Sequence, residues 1–223
     1  MPRARFRTAL CFAILAACSP ARRVLHHEPS GFLEDYARLD TTRRGGTAVT
    51  YHNPAAHWTT YDKVLFEPVT IWRSGTGSLE AIPTADLARL AVDLDAAVRR
   101  RLAESFLLVA TPPGPGVMRI RLAVTAARAS DAVKDVRRFE GIGAFPVTSG
   151  SGPLHAEIRR FLESAAIEGE ILDGQTNEIL AMGLEQYHPD RGIAFETWED
   201  MDRAIEAWAE RVVGHLERRT GHP

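Results

Sequence analysis

Five carboxylates lie on or beside segments rich in β-branched and aromatic residues: Asp62, Glu67, Glu168, Glu170 and Asp173. Two such groups facing each other across a cleft can divide general acid and general base work in hydrolysis. Glu168 and Glu170 are two apart, so a strand turns both to one face. A solvated face is the expectation there, with a cation site as the sharper alternative. Asp173 precedes Gly174 and is expected to bond its own turn backbone. His188-Pro189-Asp190 sets a base near an acid, but the proline between them favours a turn. His26-His27 lies in a polar stretch and reads as solvated rather than metal-binding. Arg99-Arg100-Arg101 could hold a phosphate, yet three cations near a helix C-terminus complement the helix dipole, and that reading is preferred. No G-x-S-x-G elbow, H-E-x-x-H pair, P-loop or dinucleotide fingerprint occurs. The sequence therefore nominates no catalytic residue and no metal ligand.

The only thiols are Cys11 and Cys18. Arg3, Arg5 and Arg7 precede an apolar run from Thr8 to Ala17. A membrane-spanning helix needs about 20 apolar residues, so this run has the size of a signal-peptide core. Leu15-Ala16-Ala17-Cys18 resembles the lipobox of bacterial lipoproteins. That resemblance implies cleavage before Cys18 and a covalent acyl lipid (palmitate-type chains) on its sulfur. No cofactor beyond that lipid is implied. An ordinary secretory signal cut after an Ala-x-Ala site is the alternative. Ser19, where inner-membrane lipoproteins usually carry Asp, resembles the outer-membrane class. The expected organisation is a lipoprotein signal peptide over 1–17, a lipidated tether over 18–30 and one globular domain over 31–223. The expected location is the periplasmic side of the outer membrane, held there by the lipid. The formal charge of −2 becomes more negative once the three early arginines leave. That balance argues against a nucleic-acid partner.

The 223 residues are 45% hydrophobic and 25% charged. These proportions exclude global disorder and collagen-like structure. Ser30 is expected to cap a short helix with Phe32, Leu33, Tyr36 and Leu39 on one face. Residues 40–60 read as a loop, whose Tyr51 and Trp58 are the candidate contacts for a protein partner. Tyr61–Trp72 is expected to be a strand in which Pro68 marks either an edge position or a break. Thr84 is expected to cap a helix over 84–103 with Leu87, Leu90, Ala91, Leu94, Val98 and Leu102 as its apolar stripe. A short strand at 106–110 and a half-buried strand over 117–126 follow, and 128–163 gives no clear pattern. Segments 166–172 and 178–186 form a hairpin round Gly174 and Asn177. A helix over 197–219 opens on a Thr197/Asp200 box and ends near Gly221. Its stripe is Trp198, Met201, Ile205, Trp208, Val212 and Leu216, with the two tryptophans assigned to the core. The fold class is α+β: a single mixed or antiparallel sheet of about four to six strands packed by two main helices.

Several blocks in order resemble one bacterial envelope lipoprotein family, domain of unknown function 3313. They are Ser30-Gly31-Phe32-Leu33 with Asp35-Tyr36 and Leu39, Tyr61-Asp62-Lys63-Val64 with Pro68-Val69, Ile167-Glu168-Gly169-Glu170-Ile171 with Asp173, and Trp208-Ala209. The hairpin turn departs from the family pattern, with Asn177 where the family tends to have Gly. Asn tolerates the left-handed conformation next best, so the hairpin should survive. The resemblance implies an envelope lipoprotein without an established activity and transfers no catalytic residue. The expected function is a non-enzymatic binding or assembly module for an envelope protein or complex. One alternative is an auxiliary lipoprotein subunit of a lipid or solute transporter with an apolar groove beside the sheet. Another is a periplasmic hydrolase using strand carboxylates. The three differ in what a structure must show: a flat apolar patch near 51–58, an open apolar groove, or converging desolvated carboxylates.

Overall fold

The structure is a computed structural model that describes residues 29–40, 48–73, 82–110, 114–126, 154, 158, 165–186, 195 and 197–222. The readings of the signal peptide, Cys18, His26-His27, most of 128–163 and His188-Pro189-Asp190 lie outside the described residues.

Seven strands form one mixed sheet among the described residues, somewhat more than the expected number. They are β1 (Ala48–His52), β2 (Lys63–Phe66), β3 (Thr70–Trp72), β4 (Leu107–Leu108), β5 (Val117–Ala126), β6 (Ala165–Asp173) and β7 (Ile179–Gln186). The order is β1-β7-β6-β5-β2-β4, with β3 also paired to β5. The chain from 61 to 72 is two strands because Pro68 interrupts it, as its missing N–H requires. β2 and β3 run parallel to β5, while β5, β6, β7 and β1 are successively antiparallel. The loop expected over 40–60 is corrected at β1. Its valine and threonine are good strand formers, and pairing with β7 draws them into the sheet.

Helices α1 (Thr84–Ser105) and α2 (Trp198–Thr220) pack together on one face of the sheet. α1 buries Leu87, Leu90, Leu94, Ala97, Val98 and Leu102, in line with its apolar period. Pro83 takes the N-cap position, so Thr84 is the first helical residue and not the expected cap. The capping box of α2 is present, with Thr197 and Asp200 each bonding the other's backbone N–H. Gly221 ends the helix at φ +80°. A side chain would be strained there. The buried stripe of α2 is Met201, Ile205, Ala209, Val213 and Leu216. Trp208 and Val212 therefore flank the core instead of filling it. The arginine triplet serves ion pairs: Arg99 with Asp95, Arg100 with Glu206, and Arg101 with Glu104 and Glu210. Leu154 and Ile158 add to the same core.

The opposite face of the sheet is crossed by residues 29–40, a strap that buries Phe32 and Leu33 against Ala123, Leu172, Ile179 and Met182. The expected helix is absent there, and only a 3-10 turn forms at Tyr36–Arg38, capped by Asp35. Among the described residues no helix is long and apolar enough to cross a membrane.

Candidate functional site

Alternation sends Glu168 and Glu170 of β6 to the strap face together with Arg119, Arg121 and Thr125 of β5. The expected solvated face is corrected here: Glu168 is 0% and Glu170 1% exposed. The strap covers them, and a buried charge requires partners. Glu168 accepts from the Tyr36 hydroxyl and from Thr125 Oγ1 at 2.8 Å. The Tyr36 oxygen in turn accepts the amides of Gly31, Phe32 and Leu33 at 3.1, 3.2 and 3.3 Å. Ser30 Oγ lies 3.0 Å from it. Burial, and then the bond to Glu168, raise the phenol pKa above its ordinary value. Glu170 pairs with Arg121, which also lies 3.7 Å from Glu67 and over the Phe32 ring. Burial nevertheless holds the Glu170 carboxyl above the usual carboxylate range, with Arg121 lowering it and Glu34 raising it. Its second oxygen, Oε2, has no hydrogen-bond partner.

The other candidate carboxylates are also engaged. Asp62 pairs with Lys63, whose hydrogen bond lowers its pKa. Glu67 pairs with Arg119 at 3.2 Å. Asp173 bonds the amides of Gln175 and Thr176, as expected of a turn aspartate, and accepts the Tyr61 hydroxyl at 2.8 Å. Burial pushes its carboxyl up, but these hydrogen bonds outweigh it and hold the pKa below the usual value. So Tyr36 of the first sequence block closes on Glu168 of the third, and Tyr61 of the second closes on Asp173 of the third. These residues interlock strap, sheet and hairpin. Among the described residues no group of His, Cys, Asp or Glu could hold a metal ion.

The helix-side face carries a different feature. Three rows of side chains cross β1, β7, β6 and β5: Ala48-Glu185-Ile167-Val124, Thr50-Gly183-Gly169-Leu122 and His52-Ala181-Ile171-Ile120. The middle row has two glycines side by side, and Leu122 leans over Gly169 so closely that a Cβ there would sit 2.5 Å from its Cδ2. A Cβ on Gly183 would meet nothing nearer than 3.7 Å. The sheet thus has a trough, since glycine in a strand leaves room for something to approach the backbone. α2 roofs one side with Trp208, Val212 and Leu216, leaving an open groove of about 370 Å³. Val212 is 36% exposed along it. Glu185 is held by Trp208 Nε1 at 3.0 Å and by Arg211 at 2.7 Å. His52, Arg211, His215 and Arg219 are the basic side chains of the lining. Arg219 lies over the Trp58 ring, 5.8 Å from its centroid, with no carboxylate partner among the described residues.

Tyr51 and Trp58, nominated together, are not brought together. Tyr51 packs on the strap-side cluster beneath Arg38, whereas Trp58 lines the groove on the helix side. Sequence reasoning missed Gly169, Gly183, Val212 and Arg219, although paired strand glycines are a readable signal of close approach.

No curated protein matches the chain. Among solved structures, a dodecameric PelC variant from Paraburkholderia phytofirmans is similar at 11% identity and a TM-score of 0.32, over 76% of this chain and 95% of that one. Residues 28–212 match the model of the family described as protein of unknown function, DUF3313, and the chain belongs to that family.

Proposed function

We propose that this protein is a non-enzymatic lipoprotein of the bacterial envelope, anchored through lipid on Cys18, that binds an apolar ligand in the groove between α2 and the β1/β7 side of the sheet. The observation that carries the reading is the groove, with its volume of about 370 Å³. That size falls within the range typical of small-molecule sites. Its wall is largely apolar and its floor is glycine. This favours the role of an auxiliary component in lipid or solute handling over that of a protein adaptor. A flat aromatic patch would suit an adaptor, but Tyr51 and Trp58 lie on opposite faces of the sheet. The strand carboxylates give hydrolysis little support, each being tied to a cation or a hydroxyl.

The experiment places a photocrosslinking amino acid at Val212 in the full chain and irradiates intact cells. A small-molecule adduct of a few hundred daltons is expected. A protein-sized adduct would return the protein partner to first place, and no adduct would remove the groove as the binding site. Cys18→Ser run in parallel should move the protein from the membrane to the soluble fraction. A wild type that is already soluble would refute the lipid anchor.

A further inference from the structure

We infer that the groove takes a single-chain anionic amphiphile, a fatty acyl carboxylate, with its tail on the Gly169/Gly183 floor and its head at Arg219. The inference rests on the groove being the binding site and adds the chemistry of its occupant. The groove holds about 370 Å³. That is near the lower end for small-ligand sites, which suits one chain and not two. The tail would lie along Ile167, Ile171, Trp208 and Val212, where burial of methylenes drives binding without directional demands. The head is chosen by charge. The chain as a whole is acidic, yet the lining balances Arg211 and Arg219 against Glu170 and Glu185, with His52 and His215 beside them. The Glu170 carboxylate is tied to Arg121, and β6 turns it to the strap face. Glu185 is already neutralised by Arg211. Arg219 is thus the guanidinium without a carboxylate partner among the described residues, exposed beside Trp58. A guanidinium fork matches a carboxylate with two parallel hydrogen bonds. An uncharged chain would leave that arginine unused, and a cationic head would be repelled by it.

The test uses the full chain carrying Cys18→Ser, so that no lipid on that thiol competes. Two fluorescent probes share one tail: cis-parinaric acid and its uncharged methyl ester. Gly183→Leu, whose Cβ would meet nothing nearer than 3.7 Å, is meant to fill the trough and measures binding elsewhere on the protein. The acid should bind about tenfold tighter than the ester, the worth of one charge-assisted pair at a partly exposed site. Arg219→Glu should abolish that preference, and an unchanged urea midpoint shows that the variant is folded. Equal binding of acid and ester to the unmodified groove would overturn the inference while leaving the groove as a binding site. Neither probe binding better than to Gly183→Leu would overturn both.

Discussion

Replacing Tyr36 by Phe removes one oxygen and leaves the ring, so it isolates the interlock between strap and sheet. That oxygen donates to Glu168, a carboxylate with no solvent exposure. It also receives the amides of Gly31, Phe32 and Leu33. The losses are unequal. Gly31 is exposed and can turn to water, and the Phe32 amide keeps Ser30 Oγ at 3.1 Å. Glu168 keeps Thr125 but loses its phenol. A hydrogen bond to a charged group contributes about 1.5–3 kcal/mol. Adding about 1 kcal/mol for the Leu33 amide, the variant should lose roughly 2.5–4 kcal/mol. Urea unfolding of the full chain measures this as a lower midpoint at unchanged m, a drop of about 1–2 M for an m of about 2 kcal/mol/M. Glu168→Gln alone and combined with Tyr36→Phe completes a cycle, and the two losses should fall short of additivity by at least about 1 kcal/mol. A loss under about 0.5 kcal/mol, or full additivity, would refute the claim that Tyr36 and Glu168 hold the strap as a unit.

The paired glycines of the groove floor should respond oppositely to alanine. Gly169→Ala forces Cβ against Leu122, whereas Gly183→Ala makes only ordinary van der Waals contact, with Thr50 Cγ2 at 3.7 Å. The first should cost about 1–3 kcal/mol and the second should be nearly neutral; equal effects in thermal unfolding would show that the trough is not shaped as described. Glu170 gives a pH signature. Its folded-state pKa lies above the unfolded value, so the folded chain binds that proton more tightly, and this group's contribution falls as pH rises through the raised value. Glu170→Gln should therefore gain relative to wild type in urea midpoint as pH rises above the ordinary carboxylate range, and a difference that does not vary with pH would contradict the burial argument. Thr197→Ala opens the capping box of α2. It should cost about 1 kcal/mol with fraying confined to the first turns in hydrogen exchange; protection lost evenly along the helix would point to another cause.

What could be read from the chain depended on how far a residue's determinants lie from it. The box at Thr197, the turn at Asp173 and the effect of Pro68 are settled within a few residues: the structure has the first two as expected and, of the two readings of Pro68, the break. The strap failed as a helix for reasons that are also local but compete with periodicity. Ser30 Oγ takes the Phe32 amide and Asp35 takes the Ala37 amide. Gly31 adopts φ +85°. Side chains and backbone thus satisfy each other without a helical ladder. Glu168 and Glu170 looked solvated because alternation reports which face a residue shares but not what covers that face. Their cover arrives from Tyr36, 132 positions away in the chain from Glu168. The groove is the same case in reverse. Gly169 and Gly183 are plain in the sequence, but a trough exists only when the β6/β7 register sets them side by side and Ala209 and Val213, not Trp208 and Val212, turn α2 into the core. The apolar stripe of α2 is wide enough to allow either rotation. Packing against α1 and the sheet chooses the one that leaves Trp208 and Val212 as a wall. A single apolar arc of that helix thus closes the core with one edge and builds the groove with the other. A polar substitution at Val212, 36% exposed on the groove wall, should accordingly weaken ligand binding more than folding, while the same change at Ala209, buried and outside the groove lining, should do the reverse.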